Sequence, residues 1–240
     1  MGSGTVPASG QQLTHRLDVV PVLSHPSPNF GPRRDGLTPS LIVLHYTAME
    51  TAAAALNRLC DPGVEVSVHY LIGSDGTIWQ MVEEAMRAWH AGAGEWRGQS
   101  DINSRSIGIE LDNRGSHPFS EPQMAALETL MPQIMARWGI DPDGVIGHSD
   151  MAPGRKCDPG PRFDWPRLAR QGLALHPGAS QAVTADPTRF RLLARQAGFT
   201  ADSSDTDLLQ AVRLRLRPWG RGPLSAEDMA VMSGLSGPAP

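Results

Sequence analysis

The sequence predicts an α/β protein, a central mixed β-sheet flanked by helices, with a small helical domain at its C-terminal end. Three observations carry that expectation. Leu41-Ile42-Val43-Leu44-His45-Tyr46 is a short apolar run of the kind that forms a strand buried on both faces. Strand and helix patterns then alternate irregularly, which favours a mixed sheet over a strictly parallel one. From His176 to Pro187 the composition shifts to Gly, Ala, Ser, Thr and Pro, the mark of a linker, and only helical patterns follow.

Residues 1–24 read as a flexible arm. The stretch His25-Pro26-Ser27-Pro28-Asn29-Phe30-Gly31-Pro32 is turn-rich and opens a main domain expected over 25–175. After the 41–46 strand, the alanine-rich segment Met49–Cys60 predicts a helix, stopped by Asp61-Pro62-Gly63. Val66–Ile72 is a β-branched strand, and Gly73-Ser74-Asp75-Gly76 turns it into a hairpin partner over 77–82. Ser106–Leu111 places Ile107, Ile109 and Leu111 on one face and Gly108 with Glu110 on the other. Ser120 and Gln123 form a capping box, and Met124, Leu127, Met131, Ile134 and Trp138 make a helical stripe behind it. Val145-Ile146-Gly147 is a short strand that feeds directly into His148. The linker spans 176–187, the helical domain 188–235 and a disordered tail 236–240. Within that domain Arg189–Ala197, Asp205–Leu216 and Ala226–Leu235 have helical patterns. Arg213, Arg215 and Arg217 nevertheless alternate with neighbours in a strand-like way.

At 240 residues, 40% apolar and 19% charged, the chain has the composition of a soluble globular protein with one good-sized core. A net charge of −4 gives no reason to expect nucleic acid or an anionic membrane as partner. No apolar run approaches the ~20 residues needed to span a bilayer. The N-terminus lacks a basic region followed by an apolar one, so a cytoplasmic enzyme is expected, with the periplasm as alternative if a native leader is missing from this sequence. Cys60 and Cys157 make neither a disulfide framework nor a zinc ribbon.

Lys156 is the only lysine among 21 basic residues. It lies in Gly147-His148-Ser149-Asp150-Met151-Ala152-Pro153-Gly154-Arg155-Lys156-Cys157-Asp158, between a histidine and an aspartate that are both potential metal ligands. Ammonium is a compact point charge and guanidinium a broad fork, so one lysine in an arginine-writing chain fits a place where compact charge is needed; a surface lysine kept by chance fits equally well. A catalytic zinc takes three protein ligands and an open position. His45 at a strand end, His148 after another strand and Asp158 in the following loop are candidates, although a lone strand histidine more often belongs to the core. Glu110 strengthens the case. A carboxylate pointing inward from so apolar a strand is costly unless it is paired or used, and burial would raise its pKa toward that of a general base. The alternative is a bridge to Arg105. Cys157 is either a thiolate ligand or a small residue beside the site.

Val43-Leu44-His45-Tyr46-Thr47, Ser67–Ile72, Ala88-Trp89-His90-Ala91-Gly92, Asn103–Leu111 and Gly147–Trp165 together resemble, in order, the zinc-dependent N-acetylmuramoyl-L-alanine amidases of the type-2 amidase family. That family shares its fold with peptidoglycan recognition proteins and with a phage amidase-type lysozyme. The resemblance runs from about His25 to Leu173. It implies one Zn2+ per chain held by His45, His148 and Asp158, with Glu110 taking a proton from water and Lys156 stabilising an oxyanion. The bond cut would join N-acetylmuramic acid, or its 1,6-anhydro form, to L-alanine, so the implied partners are peptidoglycan fragments or anhydro-muropeptides met by a monomer.

Trp89 and His90 are expected to line the substrate groove. Asn103 is expected to touch the stem peptide or cap a loop, and Arg155 to meet a substrate carboxylate or Asp150. His69 reads as structural. One departure is Ile102, where cytosolic members carry a basic residue, a role Arg97 or Arg105 would then fill. Residues 190–235 resemble a degraded peptidoglycan-binding module, with Val212-Arg213 in place of a Phe-Gln pair; a helical appendage packed on the main domain is the alternative. Two other functions fit the same residues: a non-catalytic peptidoglycan-binding protein on this fold, and a zinc hydrolase of another amide.

Overall fold

The computed structural model describes residues 21–178, 180–181 and 183–235. Positions 1–20 of the expected arm, Ala179 and Ala182 of the expected linker and the 236–240 tail lie outside the described residues. The strands are β1 (Val22–Ser24), β2 (Phe30–Pro32), β3 (Leu41–Tyr46), β4 (Tyr70–Ile72), β5 (Ile78–Gln80), β6 (Met86–Ala88), β7 (Ser106–Leu111) and β8 (Val145–Gly147). Six of them form one sheet in the order β1-β5-β4-β7-β3-β8, in which only β4 and β5 run antiparallel. β2 and β6 pair separately. The mixed sheet is therefore the one expected, except that the end of the arm is not loose: Val22–Ser24 pairs in parallel with β5 at the sheet edge.

Among the described residues, eight α-helical segments surround the sheet: α1 (Ala52–Leu59), α2 (Ile102–Arg105), α3 (Glu121–Trp138), α4 (His148–Met151), α5 (Trp165–Arg170), α6 (Pro187–Ala197), α7 (Asp205–Leu216) and α8 (Ala226–Leu235). α3 begins where the Ser120 hydroxyl accepts the Gln123 N–H and ends at Gly139, whose φ of 64° only glycine adopts without cost.

The two faces of the sheet are covered differently, and strand alternation decides which side chain goes where. Ile42, Leu44, Ile107, Ile109 and Leu111 pack under Met124, Leu127, Met131 and Ile134 of α3 and against Trp165. Each such side chain contributes about 1.5–3 kcal/mol by burial. On the opposite face, Leu41, Val43 and Ile146 share a cluster with Phe190, Ala194, Leu208, Val212 and Met229 of the C-terminal helices. Farther along that face Leu71 meets Ala55, Leu56 and Leu59 of α1. The helical segment is thus packed on the sheet as a second cover.

Two local expectations are corrected. The strand expected over 66–72 is regular only over Tyr70–Ile72; His69 still bonds Gly108 O and Met81 N–H through its backbone, but Ser67 bonds the loop at Trp89 instead of a neighbouring strand: its N–H reaches Trp89 O at 3.2 Å and its hydroxyl accepts the Trp89 N–H at 2.9 Å. The strand-like arginine alternation of 213–217 sits in a helix. Arg213 and Arg215 are each buried against their own acid, Asp228 and Asp150.

Candidate metal centre and active site

β7, β3 and β8 run parallel, so their carboxyl ends meet on one edge, where open α/β sheets characteristically build their sites. His45 is the penultimate residue of β3 and is aligned in register with Glu110 of β7. His148 is the first residue after β8. The loop leaving α4 returns Asp158 to the same point, held there by a 2.9 Å bond from the Ser149 N–H to the Asp158 carbonyl. His45 Nδ1, His148 Nδ1 and Asp158 Oδ2 lie 2.9, 2.8 and 3.0 Å from one another, all three residues buried.

The hydrogen bonds behind these atoms fix which ring nitrogens carry protons. Ala91 O can only accept, so His148 Nε2 at 2.8 Å must donate, and Nδ1 is the nitrogen turned toward His45 and Asp158. The Ser106 hydroxyl donates to Ile102 O at 2.6 Å and therefore accepts from His90 Nε2 at 3.2 Å. His90 Nδ1 is then an acceptor for His45 Nε2–H at 3.0 Å, and His45 Nδ1 is bare in turn. Burial, reinforced by the neighbouring His148, lowers the His45 pKa to about 4, and burial holds His90 well below its ordinary value, so both rings are neutral. Two imidazole nitrogens and a carboxylate oxygen converging on one point form a donor set for a cation. The His45–His148–Asp158 set is the metal-binding group among the described residues, and two nitrogens with one oxygen, each oriented from behind, suit a divalent ion with an open position.

Glu110 borders this group. The residue is half-buried on the wall of a cleft of about 380 Å3, but its Oε2 is shut off from solvent and has no hydrogen-bond partner among the described residues. Burial, with a further contribution from Asp158 and a partial offset from Lys156, pushes its pKa up to about 8. Arg105 is not its partner: that guanidinium is bound to Ser100 O and Gln99 Oε1.

Residues 35–161 match the family model described as N-acetylmuramoyl-L-alanine amidase. The chain belongs to that family. It is 42% identical over 157 residues to the N-acetylmuramoyl-L-alanine amidase AmiD of Escherichia coli, a match covering 59% of this chain and 56% of that protein's length. It is 35% identical over 160 residues to the 1,6-anhydro-N-acetylmuramyl-L-alanine amidase AmpD of Salmonella typhimurium, covering 60% of this chain and 86% of AmpD. The solved complex of E. coli AmiD with anhydro-N-acetylmuramic acid-L-Ala-D-gamma-Glu-L-Lys superposes with a TM-score of 0.75 at 33% identity, covering 85% of this chain and 89% of that one.

The other expected residues of this amidase-family site divide into two groups. Lys156, exposed, lines the cleft with Trp89, His90 and Arg155. Asn103 does not line it. Its Oδ1 accepts the N–H groups of His90 (3.0 Å) and Ala91 (2.8 Å), so it anchors the loop behind the metal group. His69 likewise accepts from Gly108 N–H (2.9 Å) and donates to Met86 O (3.1 Å), as a structural histidine does. Arg155 binds the carbonyls of Ala91 and Ala93 rather than Asp150. Cys157 stands outside the metal group, 3.1 Å from Tyr46 Oη. Neither Arg97, paired with Asp143, nor Arg105 reaches the cleft; Arg58 of α1 does, a residue no sequence signal singles out. The contact of His90 with His45 was also missed. Its signal was Gly108, where a Cβ would stand 2.6 Å from the His90 ring: the glycine beside Glu110 leaves room for that imidazole.

Proposed function

We propose that this chain is a zinc amidase that hydrolyses the bond between the lactyl group of N-acetylmuramic acid, or of its 1,6-anhydro form, and L-alanine of a peptidoglycan stem peptide. The observation that carries the reading is the unpaired carboxylate of Glu110 beside the convergent His45–His148–Asp158 group, and the substrate class is supported by the AmiD complex with an anhydro-muropeptide. Zinc, when bound by these three residues, supplies Lewis acidity that polarises a carbonyl and makes water more acidic.

The chain's own residues do the rest. Glu110, whose Oε2 has no hydrogen-bond partner among the described residues, is free to take a proton from the attacking water and return it to the departing amide nitrogen of L-alanine. Lys156, on the cleft wall, places a compact positive charge where the scissile carbonyl oxygen becomes negative. The His45–His90–Ser106 chain holds the β3 ligand in one tautomer. Trp89 offers an apolar wall to the sugar and lactyl group, and Arg155 a positive rim to stem-peptide carboxylates. One ion and one substrate per monomer complete the reading.

Incubating purified anhydro-muropeptide with the protein, with and without chelator, and analysing the products by mass spectrometry tests this directly. Free stem peptide and released sugar are expected, lost with chelator and restored by zinc. No cleavage of this substrate or of intact wall fragments at one bound zinc per chain would refute it.

A further inference from the structure

We infer that Arg215, on α7 of the C-terminal helical segment, is a positioning residue of the metal centre. The inference rests on the metal-site reading above and goes beyond it, because it makes the C-terminal helices part of the site's scaffold. Arg215 is buried, and its guanidinium brackets the residue that carries the second histidine ligand. Nη1 donates to Asp150 Oδ2 at 2.6 Å, two residues after His148. Nη2 donates to Val145 O at 3.1 Å, three residues before it, and to Leu175 O at 3.4 Å. The same Asp150 oxygen accepts the Gly147 N–H at 2.8 Å, so one carboxylate oxygen ties the strand end, the first turn of α4 and the guanidinium together.

The other ligand loop is reached through an aromatic ring. The Arg215 guanidinium carbon lies 4.0 Å from the Trp165 ring centroid, a cation–π arrangement. Trp165 packs close to Gly147: a Cβ built there would meet the Trp165 ring at 3.3 Å and the Pro159 ring, next to Asp158, at 2.8 Å. Arg215 thus touches the backbone of β8, the cap of α4 and the Trp165 ring, which, like Pro159 next to Asp158, lies beside Gly147. Planar guanidinium is suited to such a role because it forms several bonds in fixed directions while its face stacks on an aromatic ring. Arg213, two residues away, offers an internal contrast. It is equally buried, but its bonds go to Asp228, Gly222 and Pro223 within the helical segment itself.

The test uses the full chain and reads zinc affinity by competition with a chromophoric chelator, the visible spectrum of the cobalt-substituted protein, and the unfolding midpoint. Arg215→Gln is expected to stay folded but to bind zinc about 10–100-fold more weakly, with altered cobalt bands, as loss of an outer-shell partner does. Arg215→Lys, which keeps the charge and one bond, should recover part of the affinity. Arg213→Gln should lower the unfolding midpoint while leaving zinc affinity and cobalt bands unchanged. If both glutamine variants weaken zinc alike, or neither does, Arg215 is only a staple between helices and sheet, and the inference falls. Should Arg215→Gln fail to fold, the lysine variants at 215 and 213 are compared in the same way. A parent protein that binds neither zinc nor cobalt would overturn the metal reading and this inference together; one that binds zinc tightly yet cleaves no muropeptide would overturn the proposed reaction alone.

Discussion

Two glutamates reach into the interior of this protein, and their surroundings are opposites. Glu84 is buried and saturated: Tyr70 Oη donates to it at 2.7 Å, Arg137 grips it through Nε at 3.0 Å and Nη2 at 2.6 Å, and Trp138 Nε1 adds a further bond. Desolvation works against its charge, but these donors outweigh it and hold its pKa below the ordinary value. Glu110 has an enclosed Oε2 with no partner among the described residues, and its pKa is pushed up to about 8. A buried carboxylate that is fully paired stabilises a fold. One left unpaired beside converging metal ligands costs stability and is a candidate for chemistry.

The largest expected effects fall on the unpaired side. Glu110→Gln removes the base without changing shape, so turnover should drop about 10²–10⁴-fold while the metal-free fold and zinc content persist. Steady-state kinetics with metal analysis on the same sample decides this; loss of bound zinc would make Glu110 a ligand or a structural acid like Glu84. Lys156→Arg should fold and bind zinc yet lose about 10²–10³-fold in turnover, because a planar fork cannot place its charge where a compact ammonium does. Near-normal turnover would remove Lys156 from the mechanism.

On the paired side the signature reverses. Glu84→Gln leaves Arg137 and Tyr70 with a neutral partner and should cost about 1–3 kcal/mol in a denaturant titration, with turnover of the folded protein unchanged. A turnover loss matching that of Glu110→Gln would end the contrast between the two acids.

Which parts of this were legible in the sequence follows from the range of the interactions. β3 and β7 could be read residue by residue, because an apolar run and a period of two are local signals that burial on both faces then enforces. Glu110 stood out for the same reason, as a charge on an apolar strand. Lys156 stood out by its rarity. Arg215 and Asp150 could not be paired by inspection: they are 65 residues apart, and nothing periodic links a C-terminal helix to the loop after β8. The His90 contact with His45 has only an indirect sign, the glycine at 108 that makes room for the ring, since the alanine-rich loop itself does not show what it packs against. Residues 66–68 depart from the expected strand because strand propensity does not reveal that Ser67 bonds Trp89 with its N–H and its hydroxyl.

The smallest expected effect is the sharpest test of the comparison, because the two glutamates differ in its sign. The folded pKa of Glu110 is raised from 4.5 to about 8, so the native state holds that proton more tightly than the unfolded chain does. Its contribution to stability is therefore present below about pH 4.5 and lost as pH rises through about 8. Glutamine has no proton to lose. In metal-free protein, Glu110→Gln should match its parent near pH 4.5 and become more stable by about 1–2 kcal/mol at pH 9, a figure discounted for water in the cleft. Glu84, with its pKa lowered, must behave the other way: its stabilisation is present at neutral pH and fades as pH falls. Urea unfolding of Glu110→Gln at pH 5 and pH 9, with chelator present, and of Glu84→Gln at pH 7 and pH 3 reads the two signs. If Glu110→Gln instead loses stability at pH 9, the Glu110 carboxylate is held by a cation such as Lys156, and the residue is a second Glu84 rather than a base.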